Sequence, residues 1–264
     1  MHPIERLRFV ARDSGAPDED VVAEAAAALA RFAEDPSALV TACRRLIDRH
    51  PANGPIWWLC ARTLLAGDPS DEAWRCHADL HADPTLGEVA HALPDGATVA
   101  VVGWPDRLGS PLSRRGDLEV RVVDVDGDGP GFVRMLERLD VDATDVPTSG
   151  LAPAVAEADL VVLDARAIGP TVALAGAGSW AVAAVAHQAG VPVWLVAGRG
   201  RSLPPSLWAS LEARLGGAAT PSWNRGIDLV PLDLIGHVVG PSGLLPAGRA
   251  LATVDVPDAP ELRR

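Results

Sequence analysis

The chain has 264 residues, 48% of them hydrophobic, and a formal charge of −12. Its size and apolar content support a sizeable buried core and exclude disorder as the default; its acidity opposes a nucleic-acid backbone or an anionic membrane surface as a partner. All 23 basic side chains are arginine and tyrosine is absent, so chemistry that needs a lysine Schiff base or a phosphate-loop lysine is excluded.

Residues 1 to about 16 read as a loose arm. The opening MHPIERLRFV has no long apolar core for export, and no apolar run is long enough to span a bilayer. Cys43, Cys60 and Cys76 are odd in number and lack metal-ligand spacing, the usage expected of buried free thiols in a reducing, cytoplasmic compartment.

From Asp18, DEDVVAEAAAALARFAED has acidic residues first and apolar positions at helical spacing. A second helix begins at Pro36 and puts Leu39, Cys43, Leu46 and Ile47 on one face. After the break at Asn53-Gly54-Pro55, IWWLCARTLLAG is apolar on most sides and reads as a buried helix. Residues 71 to about 92 form one or two more helices, interrupted at Pro84. Residues 1–93 are therefore expected to be a helical lobe.

Pro94-Asp95-Gly96 is a turn, and 94–264 reads as an α/β domain. Thr98 to Val102 is a buried strand, followed by a loop rich in Gly, Pro, Ser and Arg. Strands at 118–123 and 141–146 alternate with helices at 130–139 and 152–158. Leu160 to Leu163 is apolar throughout and ends in Asp164. A turn-rich bridge leads to Gly176 and Gly178 and an alanine-rich helix that Gly190 stops. Val191 to Ala197 is the next strand, 204–215 another helix, and 226–231 a last strand or edge segment. This alternation implies a doubly wound, mostly parallel sheet, whose ligands sit where strand ends meet helix N-termini.

Four stretches bear on chemistry. Gly176-Ala177-Gly178-Ser179-Trp180-Ala181 matches G-x-G-x-x-A, but the strand before it ends at Asp164 and the next strand offers no acid, so it does not read as a dinucleotide fingerprint. It reads instead as a helix N-terminus whose amides, with the Ser179 hydroxyl, hold one phosphate, or as a tight packed turn. Asp164, desolvated on one side at the ligand edge, suits acid/base work; the alternative is a cap on the Ala167–Gly169 backbone. Asp124 to Gly129 copies half a calcium loop, but the twelfth position is Met135. His77 and His81 stand at i, i+4 without the acid of a metalloprotease helix. No metal or cofactor is expected. Trp57 and Trp58 read as packing between lobes, whereas Trp104 and Trp180 stand near the ligand edge.

The order of these segments resembles the family that joins the alpha, beta and delta subunits of eukaryotic translation initiation factor 2B with methylthioribose-1-phosphate isomerase and ribose-1,5-bisphosphate isomerase. LPDGATVAVVG is similar to the family's first strand after its Asp-Gly turn, and ADLVVLDARAIGP to its Gly-Ala-Asp strand end. GAGSWAVAAVAHQAGVPVWLVA matches the shape of its Asn-Lys-Ile-Gly-Thr helix start. NRGIDLVPLDLIGHVVGPSGLLP looks like its closing segment, with Pro231, Leu234-Ile235 and Gly243 in place. The resemblance covers roughly 86–246. It implies a helical lobe followed by a Rossmann-like α/β domain, and a homodimer.

By the same resemblance the isomerases' acid/base Asp falls on Asp164. Their catalytic Cys falls near Trp104, their Asn-Lys pair on Ala175-Gly176, and the lobe's Arg-Pro on Gly54-Pro55. One catalytic group of several is present, which implies a non-catalytic, regulatory or small-molecule-binding homologue. Its ligand, a phosphorylated sugar or nucleotide, is expected at Gly176, Ala177, Gly178 and Ser179 beside Asp164 and Trp104, with Arg107, Arg166, Arg199 or Arg201 as a substitute phosphate clamp. An active sugar-phosphate isomerase with a rearranged site is the alternative; it requires Asp164 and one of Arg107, Arg166 and Arg199. A third reading is an assembly module with no ligand, its pocket plugged by Trp104 and Trp180.

Overall fold

The computed structural model describes residues 18–216 and 221–263; the expected arm at 1–16 lies outside them. Five helices come first: α1 (Asp18–Leu29), α2 (Pro36–Arg49), α3 (Gly54–Leu65), α4 (Pro69–His81) and α5 (Thr85–Ala92). Three of them start by one device. Asp35, Asn53 and Asp68 stand just before a proline in the first turn, and each side chain accepts amide hydrogens of that turn, for example Asn53 from Ile56 at 3.0 Å. Proline there sacrifices no helical hydrogen bond, and the Asx oxygen satisfies an orphan donor. The expected break at Asn53-Gly54-Pro55 is thus the start of α3.

The rest is α/β. β1 (Thr98–Val102), β2 (Glu119–Asp124), β3 (Asp142–Pro147), β4 (Leu160–Asp164), β7 (Val193–Val196), β9 (His237–Gly240) and β10 (Gly243–Pro246) form one sheet in the order β10-β9-β7-β4-β1-β2-β3. All neighbours are parallel except the β9–β10 hairpin. This is the doubly wound order, with the direction of winding reversed between β1 and β4.

Strand parity assigns the two faces. Short helices, α6 (Gly109–Ser113) and α8 (Leu151–Ala156), follow β1 and β3. Val99, Val101, Leu160, Val162 and Trp194 pack with Phe132 and Leu136 of α7 (Gly129–Glu137) and with Leu108. Ala100, Val161, Leu163 and Leu195 pack with Val182, Ala183 and Ala186 of α9 (Ser179–Ala189). Apolar on both sides, these strands are continuous hydrophobic runs, as central parallel strands must be.

A smaller antiparallel sheet was not visible in the sequence. The bridge between β4 and α9 contains β5 (Ala167–Ile168) and β6 (Val172–Gly176), which pair as a hairpin; β8 (Ile227–Pro231) adds to β6, and among the described residues no strand pairs with its other edge. The 226–231 segment is therefore an edge strand, but not the last strand.

The helical lobe does not have a core of its own. Trp57, Leu46 and Ile56 share one cluster with Leu207, Trp208 and Leu211 of α10 (Pro205–Gly216) and with Val256, Ala259 and Leu262 of the C-terminal segment. The start of α3 lies directly on the sheet rim. The Gly54 amide donates to the Arg166 carbonyl at 3.0 Å, and a Cβ on Gly54 would stand 2.7 Å from that oxygen. Only glycine permits so close a backbone approach.

Candidate functional site

β1 and β4 are hydrogen-bonded at their beginnings only, through the pairs Val99–Leu160 and Ala100–Val161. β1 stays with β2 to Val102, and β4 stays with β7 to Asp164. The two strands thus part toward their carboxyl ends, at the point where the winding reverses. The loop after β1 and the chain after β4 form the lips of the crevice that opens there.

Asp164 ends β4. By alternation it shares the face of Leu160 and Val162, and on that face it meets Arg107 from the loop after β1. Arg107 Nε and Nη2 both donate to Asp164 Oδ1, at 3.0 and 2.5 Å, and the Arg107 amide lies 3.3 Å from Oδ2. Nη2 also donates to the Val196 carbonyl at 2.9 Å. Both side chains are largely buried, at 15% and 16% exposure. Asp164 does not cap the Ala167–Gly169 backbone; it is half of an ion pair across the crevice.

That pair divides the crevice. On one side lies a small chamber of ≈ 90 Å³ that includes Trp104, Asp126, Asp164, Arg166, Gly176, Ala177 and Ser179 in its wall. On the other lies a chamber of ≈ 260 Å³ between the lobe and the sheet, walled by Pro55, His81, Asp83, Thr85, Arg107 and Arg201. Asp106 borders both. The small chamber is below the usual 300–1,000 Å³ or so of a ligand pocket.

The amide cluster reaches the small chamber from the opposite face of the sheet. Gly178 has φ 87° and precedes α9, whose first residue, Ser179, is 3% exposed. A Cβ on Gly178 would lie 2.4 Å from Val125 Cγ2, so turn conformation and packing together require glycine here, and Gly178 lies behind the chamber wall rather than in it. The Trp180 amide is already engaged by the Asp228 carboxylate of β8 at 3.0 Å. That carboxylate satisfies one orphan donor of the helix start and complements its dipole.

The remaining expected residues disperse. Arg166 is exposed, with no side-chain hydrogen bond or ion pair among the described residues, and faces the small chamber. The Arg199 side chain lines a third chamber farther along the rim, while its amide donates to Asp83 at 2.8 Å. Trp104 is 46% exposed and its ring lies 5.7 Å from that of Phe132, beside the small chamber and not filling it. Trp180 is 51% exposed and walls none of these three chambers.

Asp83 and the burial of Arg201 escaped the sequence reading. Asp83 Oδ1 accepts from the Thr85 amide and hydroxyl, at 3.0 and 2.6 Å, an Asx turn leading into α5. Arg201 is 3% exposed and donates through Nε to the Ala165 carbonyl at 2.8 Å. Both crowd Gly198, whose absent Cβ leaves room for Asp83 Oδ2 and Arg107 Nη1. In the half calcium loop, Asp124 accepts from the amides of Gly127 and Gly129, at 2.8 and 3.2 Å. Among the described residues no three His, Cys, Asp or Glu are grouped to hold a metal, and no helix is long and apolar enough to cross a membrane.

No protein-family model matches the chain, and no curated protein matches it. Solved structures do. Translation initiation factor eIF-2B of Pyrococcus horikoshii superposes with a TM-score of 0.75 at 14% identity, over 94% of this chain and 98% of that one. eIF2B beta of Chaetomium thermophilum gives 0.74 at 15%, over 98% and 91%. The tetrameric eIF2B beta2-delta2 complex of the same organism gives 0.74 at 13%, over 95% and 92%. The chain has the fold of the initiation factor 2B subunits.

Proposed function

We propose that this chain is a non-catalytic, initiation-factor-2B-like protein that binds a phosphorylated sugar or nucleotide in the crevice between β1 and β4. The observation that carries the reading is the Arg107–Asp164 pair. Its carboxylate is bound by a guanidinium and a backbone amide, so the acid/base group at the end of β4 is engaged. The same pair is the wall between two chambers, one too small for a sugar phosphate. Ligand entry exchanges the partner of Arg107: the guanidinium releases Asp164 and takes the phosphate bidentately, a contact it makes equally well. The chambers then join, with Arg166 and the Gly176–Ser179 segment on the far side.

Thermal unfolding with ribose 5-phosphate, AMP and inorganic phosphate tests this reading. A ligand that binds the folded state alone raises the melting temperature with its concentration. The reading expects a rise with at least one phosphorylated sugar or nucleotide; no rise with any of the three contradicts it.

The alternative is an active sugar-phosphate isomerase. The same exchange at Arg107 favours it, because the exchange frees Asp164 beside the ligand. Proton NMR of ribose 1,5-bisphosphate and methylthioribose 1-phosphate, incubated with the chain, separates the two. Ketose product that disappears in Asp164→Asn supports the enzyme; unchanged substrate supports the binder.

We further propose that the chain forms a homodimer through the open edge of β8. Leu229 of β8 is 37% exposed, Trp180, whose amide meets Asp228 of β8, is 51% exposed, and Trp223, in the short turn that precedes β8, is 83% exposed. Large exposed apolar side chains beside an unpaired strand mark an association surface.

A further inference from the structure

We propose a second ligand site at the carboxyl ends of β7 and β9, which shares Arg201 alone with the larger chamber of the crevice between β1 and β4. It takes a small organic anion: one carboxylate or phosphate head on a compact apolar body. A chamber of ≈ 540 Å³ lies there, between the segment after β7, the turn of the β9–β10 hairpin and the chain beyond α11 (Ala247–Ala250).

Its charge is opposite in sign to that of the whole chain. Arg199, Arg201 and Arg249 line it, against one acidic residue, Asp255. That carboxylate is already committed, accepting from the amides of Gly200 and Ser202 at 2.5 and 2.9 Å. On a chain of charge −12, a concave pocket with a local arginine excess concentrates anions by focusing the field.

The cations differ in role. Arg201 is buried, tied by Nε to Ala165 and by Nη1 to the Arg199 carbonyl, and puts fixed positive charge at the base. Arg199 and Arg249 are exposed, and neither guanidinium has a hydrogen bond or ion pair among the described residues. Two planar forks at one mouth are the geometry that captures a carboxylate or phosphate bidentately. Ile168, Val238, Leu245 and Leu251 supply the apolar wall, which a bare inorganic ion does not use. The volume lies in the usual range of small-molecule sites.

Isothermal titration of the full chain with phenyl phosphate and with inorganic phosphate tests the proposal. Phenyl phosphate is expected to bind, and more tightly than inorganic phosphate. Arg249→Ala and Arg199→Ala are each expected to weaken it about tenfold, the loss of one charge-assisted contact, with the melting temperature of the free protein unchanged. Arg249→Ala is also expected to keep any ribose 5-phosphate response of wild type, because that response belongs to the crevice. No binding of phenyl phosphate by wild type, undiminished binding in both arginine variants, or equal affinity for the two probes overturns the proposal. None of these outcomes depends on whether the crevice binds a sugar phosphate.

Discussion

Arg107 and Asp164 stand on opposite lips of the crevice where β1 and β4 part, and they are joined across it by two guanidinium donors and one amide. A carboxylate at the end of a buried parallel strand is left with unsatisfied oxygens unless something reaches it. Here Arg107, in the loop after the neighbouring strand β1, supplies the donors and divides the crevice in the same act.

The first consequence is energetic. Arg107→Ala leaves Asp164 largely buried and without its guanidinium. Breaking a fully buried pair costs about 3–5 kcal/mol, and with 15–16% of each side chain still exposed about 2 kcal/mol is expected. Arg166→Ala removes an exposed side chain that has no hydrogen bond or ion pair among the described residues, and is expected to change stability by about 0.5 kcal/mol or less. Urea denaturation of both variants checks the contrast; equal effects would mean that the pair contributes nothing.

A second prediction concerns the lobe. Thr63 is fully buried on α3, and its hydroxyl has no hydrogen-bond partner among the described residues. Thr63→Val keeps the shape and removes an unsatisfied group, so stability is expected to rise by about 1 kcal/mol. A fall in the denaturation midpoint would show that the hydroxyl is satisfied in solution.

The cysteines give a pH dependence. Cys43, Cys60 and Cys76 are free and buried. Burial pushes the Cys76 thiol up to about 12, against the opposing charge of Arg62, and pushes Cys60 well above its ordinary value. In the unfolded chain these thiols ionise near about 8.5. A raised folded value favours the protonated form, so the native state keeps its full advantage below about pH 8.5 and loses it progressively toward pH 12. Folding free energy measured at pH 7.5 and at pH 10 is expected to be smaller at the higher pH. Native protein at pH 8 is expected to leave a thiol-reactive dye unreacted until denaturant is added; rapid native labelling contradicts the burial.

Self-association has its own test. Trp223→Asp puts a charge on the most exposed large apolar side chain among the described residues, in the turn that precedes β8. Sedimentation velocity is expected to show a dimer for wild type and a monomer for the variant, with unchanged circular dichroism. A wild-type monomer, or a variant that still dimerises, removes β8 as the contact surface.

Much of the fold was legible because buried parallel strands are continuous apolar runs with sharp ends. Thr98–Val102 and Leu160–Asp164 fall where the sequence places them. β6 was hidden for the same reason inverted: Val172 to Ala175 is a short apolar run, but Gly169-Pro170 before it and Gly176 and Gly178 after it carry the signal of turns. The β9–β10 hairpin was obscured by the glycines and proline of its own turn. The site was legible only by position. Strand alternation fixes the face of Asp164, and the rule of carboxyl ends fixes the rim. The partner 57 residues away, Arg107, and the capping of Trp180 by Asp228, 48 residues apart, depend on how loops fold over that rim, which no local pattern encodes.

Partner exchange at Arg107 is probed most directly by the affinity of the Asp164→Asn variant for ribose 5-phosphate. The neutral amide in that variant no longer competes as an anion for the guanidinium. Titration calorimetry is therefore expected to show binding tighter than wild type by about fivefold, the equivalent of roughly 1 kcal/mol of ion pair. Binding weaker than wild type, or abolished, would contradict the exchange and make Asp164 a group that holds the ligand itself.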